Sequence, residues 1–299
     1  MNNFKLKKSD LLIEGVSIKK LSKKFETPFY CYSSSAIIEK FKEFEKPFKY
    51  LDTIICYAVK ANQNIAILKI LSKLGAGTEV VSEGELRRSL KASIPPKKIV
   101  FSGVGKTSNE LNYAINKNIL LINAESKSEI IEIEKIAKSK KKYVNIGIRL
   151  NPNTDAKTLT HISTGKKENK FGVTEKTFFE LVKHTKKSKY INLKCLSVHI
   201  GSQIVNNQPY EKMLKIVDRI IKKVNHKFEF IDLGGGMGIS YNNKIKKLNY
   251  KKYSAAVKNF LKNHKSKIIF EPGRSIIGNT GILISKIIYI KKNKDKDFI

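Results

Sequence analysis

Residues able to do chemistry recur directly after short apolar runs of the sequence. Lys60 ends the run Thr53–Val59, and His199 follows the run that begins at Lys194. A lysine at the end of an apolar strand is costly to bury as a charge, so we expect a lowered pKa and a nucleophilic amine. The alternative is a long cationic side chain that merely reaches the rim of the fold.

Two further runs end in groups suited to anions. Gly234–Gly236 follow an apolar run, and consecutive glycines after a strand expose backbone N–H groups to an anion such as phosphate. Tight-turn packing would explain them equally well. Glu271 and Arg274 follow another run, where a surface ion pair is the alternative. With Arg149 after a fifth run, five such ends are difficult to explain by packing alone.

The elements that would position these residues are β-rich runs alternating with stretches of helical period. The runs are near-continuously apolar, which is typical of parallel strands buried on both faces. Eight strand–helix units predict a (β/α)8 TIM barrel, whose chemistry lies at the carboxyl ends of the strands; an open doubly wound sheet is the alternative. The runs are Thr53–Lys60, Thr78–Ser82, Lys98–Gly103, Leu120–Ser126, Val144–Leu150, Lys194–Gly201, Phe228–Gly235 and Lys267–Gly273.

The two ends of the chain do not fit the barrel pattern. Thr27–Ser33 and Gly281–Lys291 each predict a strand, and a polar helix is expected over Ala36–Phe44. Two isolated strands make no stable unit, so we expect the first pieces of an incomplete second β domain. The predicted division is residues 1–35 as a strand contribution to that domain, 36–275 as the barrel, and 276–299 as its start, with the remainder absent.

Composition narrows the class of protein. Hydrophobic residues make up 41% and charged residues 28%, which favours a folded core over disorder. No apolar stretch is long enough for a spanning helix, and no signal peptide is evident, so a cytoplasmic location is expected. Cys31, Cys56 and Cys195 form neither a disulfide framework nor a metal site, and no metal is expected.

The formal net charge of +33 raises the question of a nucleic-acid partner. Only five of the 59 cationic residues are arginine, whereas nucleic-acid recognition favours planar, bidentate arginine. The lysines are scattered over almost every segment. A solvated lysine coat is therefore the favoured interpretation, with no nucleic-acid or membrane partner.

Five blocks follow one another along the chain: Tyr57–Asn62, Ile162–Gly172, His199–Gln203, Gly234–Gly236 and Glu271–Arg274. Together and in this order, they resemble the fold-type III pyridoxal-phosphate decarboxylases, whose barrel is alanine-racemase-like. The resemblance implies pyridoxal 5'-phosphate as cofactor and a small-molecule amino acid as substrate. The second block and Gly278–Gly281 are most similar to the branch that converts meso-diaminopimelate to lysine and CO2. The alternatives are ornithine, arginine or carboxynorspermidine as substrate, or a non-catalytic cofactor-binding barrel.

The resemblance also implies roles for the residues around the cofactor ring. Lys60 would form the Schiff base with the cofactor aldehyde, and His199 would stack on the pyridine ring. Glu271 would pair with the pyridine nitrogen and keep it protonated. Arg149 and Glu79 match positions lining the cofactor, although the family more often has aspartate where Glu79 stands.

The phosphate end is implied in the same way. Ser202, Gly235 and Gly236 would hold the phosphate, with the backbone of Glu271–Arg274, including Pro272 and Gly273, beside it. Arg274 would lie between the phosphate and an anionic group of the substrate.

One departure from the family pattern affects the expected activity. Family members continue into a β domain with a Cys-Glu-Ser motif, whose cysteine crosses a homodimer interface, and a late tyrosine. This sequence ends before both, so none of its three cysteines takes that role. We therefore expect a chain truncated at its C-terminus, impaired in turnover, and a homodimer in the full-length form.

Overall fold

The computed structural model of the protein describes residues 3–153, 170–241 and 247–298. Its first element is a small antiparallel sheet that the sequence analysis did not predict. Strand β1 (Phe4–Lys7) pairs with β2 (Asp10–Ile13), and β2 pairs with β3 (Val16–Ser17). Helix α1 (Ile18–Lys24) and strand β4 (Phe29–Tyr32) follow, and β4 confirms the strand expected over residues 27–33.

Eight parallel strands close into a barrel, which confirms the predicted architecture and excludes the open doubly wound sheet. Each strand pairs with the next along the chain, and the last pairs with the first, Ile268 opposite Thr53. The strands are β5 (Thr53–Ala58), β6 (Gly77–Val80), β7 (Ile99–Phe101), β8 (Leu121–Ala124), β9 (Val144–Leu150), β10 (Ile191–Val198), β11 (Phe230–Asp232) and β12 (Lys267–Phe270).

Helices connect the strands and bury one apolar face each against the barrel. Several begin at a serine, threonine or asparagine whose side chain accepts a backbone N–H of the first turn, which explains where these helices start. The helices are α2 (Ser34–Glu45), α3 (Ile65–Lys73), α4 (Glu83–Lys91), α5 (Ser108–Asn116), α6 (Lys127–Ser139), α7 (Glu175–Thr185), α8 (Gln208–Val224), α9 (Tyr250–Leu261) and α10 (Arg274–Ile277).

The inside of the barrel changes from apolar to polar along the strands. Side chains alternate across a strand with a period of two, so every second residue shares one face. An apolar cluster that includes Cys56, Val100, Cys195 and Ile269 fills one level. Two to four residues further along the same faces come polar side chains: Lys60, Glu79, Ser102, Asn123, Arg149, Ser197, His199, Asp232 and Glu271.

The two strands expected to be isolated at the chain ends are partners. Strand β13 (Gly281–Ile284) pairs antiparallel with β4, and a Cβ at Gly281 would meet the Tyr32 ring at 2.4 Å. The sequence predicted a strand over residues 281–291, but β13 ends at Ile284. Strands β14 (Lys291–Lys292) and β15 (Asp297–Phe298) form a separate antiparallel pair. No helix in the described ranges has the length and apolar character needed to cross a membrane.

Candidate active site

Lys60 lies in a single helical turn directly after β5, at the mouth of the barrel. Its Nζ is 2.6 Å from Oε2 of Glu79, which is buried on the neighbouring strand β6. Burial lowers the pKa of Lys60, but the negative charges of Glu79 and Glu271 outweigh it and the pKa lies above its ordinary value. The lowered pKa expected from the sequence is therefore wrong, because the ammonium has a carboxylate partner.

Glu271 follows β12 and is buried at the mouth of the barrel. Burial raises its pKa well above the ordinary value, and the nearby charges of Asp232 and Glu79 raise it further. Asp232 accepts hydrogen bonds from Asn123 Nδ2 at 2.8 Å and Ser197 Oγ at 3.0 Å. Glu271 therefore holds a proton more readily than an exposed glutamate does, and its Oε1 has no hydrogen-bond partner within the described part of the chain.

His199 comes directly after β10, and its ring is held by the glycine loop. The Gly235 N–H donates to His199 Nδ1 at 3.1 Å, so that nitrogen is unprotonated. Burial and the positive charges of Arg149 and Lys60 lower the pKa of His199 well below its usual value. The imidazole is therefore neutral, with its proton on Nε2.

The glycine loop after β11 packs too closely for side chains. Gly234 and Gly236 have φ values of +65° and +86°, and a Cβ at Gly236 would meet the Gly201 oxygen at 2.2 Å. At Gly235 a Cβ would meet the Glu271 oxygen at 2.1 Å. Gly236 and Ser202 line a cavity, whereas the Gly235 N–H is already bonded to His199.

Residues 271–274 cross the mouth of the barrel beside β5. The Pro272 carbonyl accepts the Ala58 N–H at 3.1 Å, and a Cβ at Gly273 would meet the Ala58 and Ala61 methyl groups at 3.1 Å. Arg274 donates from Nη1 to the Tyr241 hydroxyl at 2.8 Å. This turn is thus packed against the lysine-bearing strand, and Arg274 reaches the cavity edge.

Two cavities meet at the barrel mouth and share Lys60, His199 and Glu271. One has a volume of about 380 Å³ and the other of about 360 Å³. The first has the glycine loop and Arg274 in its wall; the second has Glu79, Arg149 and Phe171. Nine of the eleven predicted site residues therefore line one of these cavities, and Gly235 and Pro272 support the walls from behind.

Several residues at this mouth were not predicted. Glu125 pairs with Arg149 at 2.8 Å, Asp232 contacts Glu271, and Phe171 lines a cavity. The period of two along a strand could have found Asp232 and Glu125. Asp232 comes two residues after Phe230 and therefore shares its face, and Glu125 continues the face of Leu121 and Asn123 in the same way. Of the block Ile162–Gly172, residues 162–169 lie outside the described residues. No metal-binding group of three His, Cys, Asp or Glu occurs in the described residues.

Comparison with known proteins gives this arrangement a family. Residues 34–278 match the pyridoxal-binding domain of the pyridoxal-dependent decarboxylases. The diaminopimelate decarboxylase of Aquifex aeolicus is 42% identical over 293 residues, covering 97% of this chain and 69% of the relative. One from Helicobacter pylori is 43% identical over 284 residues, covering 94% of this chain and 70% of the relative.

Solved structures agree with the sequence comparisons. The Helicobacter pylori diaminopimelate decarboxylase complexed with L-lysine has a TM-score of 0.89 at 42% identity, covering 92% of this chain and 71% of that one. The M. jannaschii enzyme, also with L-lysine, has a TM-score of 0.92 at 34% identity, covering 99% and 72%.

Matches of this extent show that the chain belongs to the pyridoxal-dependent decarboxylases. Within that family, several diaminopimelate decarboxylases match it over nearly its whole length.

The residues present fit pyridoxal phosphate. An aldehyde needs an amine, and Lys60 Nζ faces both cavities. A ring nitrogen needs a carboxyl group, and the buried Glu271 Oε1 has no other hydrogen-bond partner among the described residues. A phosphate needs close backbone approach, which the Gly236 loop allows because a Cβ there would collide with Gly201.

Proposed function

We propose that this chain is a pyridoxal-phosphate-dependent carboxy-lyase that converts meso-2,6-diaminopimelate to L-lysine and CO2, the last step of lysine biosynthesis. The observation that carries the proposal is that Lys60 and Glu271, whose buried Oε1 has no hydrogen-bond partner among the described residues, line one cavity beside the Gly236 loop. The likeness to diaminopimelate decarboxylases over nearly the whole chain supports the choice of substrate.

The proposed roles begin with the groups that hold the cofactor. Lys60 would bind its aldehyde, and Ser202 and Gly236, which line the same cavity, would hold its phosphate. Gly235 and Pro272 would contribute through the backbone contacts that keep His199 and Ala58 in place. When bound, pyridoxal phosphate supplies an electron-withdrawing ring that delocalises the charge left when CO2 departs.

The chain's own acid–base groups would prepare that ring. Burial and the charge of Asp232 raise the pKa of Glu271, so this carboxyl group would share a proton with the ring nitrogen more readily than an exposed glutamate would. His199 would present a neutral ring to stack on the cofactor, since its Nδ1 is occupied by the Gly235 N–H. Glu79 would hold the Lys60 ammonium in place through the 2.6 Å contact.

The second carboxylate of diaminopimelate distinguishes it from the alternative substrates. Ornithine, arginine and carboxynorspermidine have no such group, so a cation at the cavity wall favours diaminopimelate. Arg274 lines the first cavity and Arg149 the second. We propose Arg274 as the residue between the phosphate and the anionic group of the substrate.

The test compares cofactor binding and turnover in the wild-type chain and in Lys60→Ala. The wild-type protein should turn yellow with pyridoxal phosphate, and the variant should not, because its amine is gone. CO2 release should be faster with meso-diaminopimelate than with ornithine, arginine or carboxynorspermidine. A preference for one of those three would overturn the substrate, and cofactor binding without any CO2 release would favour the non-catalytic barrel.

We also propose a cytoplasmic location, no nucleic-acid partner, and a homodimer for the full-length form of the protein. The family resemblance supports the dimer, and the use of a small amino-acid substrate supports the location. The proposed division at residues 35 and 275 is supported by the family match over residues 34–278. Sedimentation of the purified protein, with and without added DNA, tests the assembly.

A further inference from the structure

Glu125 is a buried carboxylate at the barrel mouth to which the proposed function gives no role. It directly follows β8, and its side chain is 2% exposed. Its Oε1 accepts a hydrogen bond from Arg149 Nη1 at 2.8 Å, and its Oε2 accepts the Gly172 N–H at 2.8 Å. Each oxygen therefore holds a different part of the chain.

The two parts held by Glu125 meet in the wall of the second cavity. The Arg149 guanidinium lies over the Phe171 ring, with its carbon 4.9 Å from the ring centre. Both residues line that cavity. The Val173 N–H donates to the Arg149 carbonyl at 2.8 Å, which brings residues 171–173 alongside β9. Glu125 therefore links β9, through Arg149, to residues 171–173, through the Gly172 N–H.

Glu125 is itself held firmly from the side away from the cavity. Its N–H donates to Glu129 Oε2 at 2.9 Å, and Glu129 Oε1 is 2.6 Å from the Lys106 ammonium. The Lys106 side chain is 1% exposed and also donates to the carbonyls of Gly103 and Asn123, at 2.6 and 2.9 Å. A glutamate whose backbone is anchored in this way gives its carboxylate a fixed base from which to orient Arg149.

We propose that Glu125 is a positioning residue that fixes Arg149 and Phe171 as one wall of the second cavity. Arginine has five N–H donors, and the bond to Glu125 uses one of them. The guanidinium, held at this angle, presents a cation to an anionic oxygen in the cavity, either of the cofactor or of the amino-acid substrate. This role rests on the proposed function, because that function supplies the ligand.

A double-mutant cycle tests whether Glu125 acts through Arg149. Glu125→Gln offers one acceptor where two N–H donors need one each, so a contact must be lost. We expect Glu125→Gln and Arg149→Gln each to weaken ligand binding by about 10- to 100-fold, the range for a bond to a charged group. The double variant should bind no more weakly than Arg149→Gln alone. Multiplied effects would overturn the proposal.

Two separate measurements identify the source of the anionic oxygen. The Kd of pyridoxal phosphate, followed by its absorbance, reports on an oxygen of the cofactor. The KM for diaminopimelate at saturating cofactor, with kcat compared, reports on an oxygen of the substrate. The proposal is overturned if Glu125→Gln changes neither constant.

A readout that needs no ligand separates this proposal from the function it rests on. Hydrogen exchange at the Gly172 amide should become faster in Glu125→Ala, because that variant removes both acceptor oxygens, while the Val173 amide stays protected. If the exchange pattern and the cycle with pyridoxal phosphate behave as expected but diaminopimelate is not decarboxylated, the proposed function fails and the positioning role stands. An unchanged Gly172 amide would overturn the role.

The matched control is Glu110→Gln. Glu110 also accepts backbone N–H groups, from Thr107 at 3.0 Å and Glu83 at 3.1 Å, but these partners line neither cavity. Glu110→Gln should lower Tm but leave the Kd of pyridoxal phosphate and the KM for diaminopimelate unchanged within error. If it raises Kd or KM as much as Glu125→Gln does, the effect of Glu125 is only structural. Should Glu125→Gln not fold, Glu125→Asp keeps the charge and shortens the reach, and should give the same cycle.

Discussion

Gly236 and Gly105 both have a positive φ, of +86° and +76°, but their surroundings differ. A Cβ at Gly236 would meet the Gly201 carbonyl oxygen at 2.2 Å, whereas a Cβ at Gly105 has nothing within 4 Å. The pair therefore separates the cost of an unfavourable backbone angle from the cost of a close contact.

We predict that Gly236→Ala destabilises the protein more than Gly105→Ala does. Both variants lose about 1–2 kcal/mol to the backbone angle, and Gly236→Ala loses a further ~1–3 kcal/mol to the displaced carbonyl. Urea unfolding measures the difference, and the Kd of pyridoxal phosphate should rise only in Gly236→Ala. Equal costs at the two positions would show that the loop yields easily and that its close packing does not matter.

The sequence identified much of the site at the level of single residues. Lys60, His199 and Glu271 each end an apolar strand, and that position alone predicted that they meet at one face. What it could not supply was the pairing of Lys60 with Glu79, which reverses the expected direction of the lysine pKa. Glu125 escaped notice because Glu125–Glu129 also contains the serine and glutamate of an ordinary helix start, Ser126 and Glu129.

At the level of elements, one carboxylate links the N-terminal sheet to several groups at the start of α2. Glu14, in the turn between β2 and β3, accepts hydrogen bonds at the start of α2 from Ser33 Oγ at 2.6 Å and from the Ser35 N–H at 2.8 Å. The hydrogen bonds from Ser33 and Ser35 lower the pKa of Glu14 from 4.5 to about 2.

This contact predicts an acid-sensitive attachment of the N-terminal sheet. Because the folded pKa is lower than the unfolded one, the contribution is complete above pH 4.5 and is lost as the pH falls through about 2. Glu14→Gln should make amide exchange in β1 and β2 faster near neutral pH. The stabilising free energy lost should be about 1 kcal/mol or less, because the Glu14 side chain is exposed.

The difference in amide exchange rate between Glu14→Gln and the wild-type protein should become smaller as the pH falls. Below about pH 2 the wild-type carboxyl group is itself mostly protonated, so the two proteins should exchange at similar rates. A difference that stayed constant over the whole pH range would mean that the charge of Glu14 does not hold the sheet.

The barrel strands were predictable because they are apolar on both faces, whereas the N-terminal strands were not. β1 and β2 have four residues each and β3 has two, and their side chains are mostly exposed or half-buried. Runs this short contain too little periodicity to separate strand from loop. The pairing of β4 with β13 was equally hidden, since it joins residues about 250 positions apart in the sequence and depends on the closed barrel between them.

At the scale of the whole molecule, a net charge of +33 coexists with an exposed apolar segment. Ile288 is 77% and Tyr289 84% exposed, and Ile287 and Ile290 beside them are more than half exposed. Mutual repulsion keeps such highly charged molecules apart at low salt, and screening removes that protection. Exposed apolar segments then favour association.

We therefore predict salt-dependent self-association through this segment. Light scattering of the wild-type protein should increase at about 1 M salt, where the screening length falls to about 3 Å. The double variant Ile288→Ser, Tyr289→Ser should scatter much less and bind pyridoxal phosphate as before. Tyr50→Ser serves as the control, because Tyr50 is 91% exposed but lies in a different part of the fold, before β5. If all three proteins scatter alike, another surface is responsible.

The antiparallel pairing of β4 and β13 has a mechanical consequence. Phe29, where the chain enters β4, lies opposite Ile284, where it leaves β13. A force pulling on the flanking segments would therefore open the two strands like a zipper, one residue pair at a time. They would separate under a small load, while the barrel, whose eight strands are closed through β12 and β5, would stay intact.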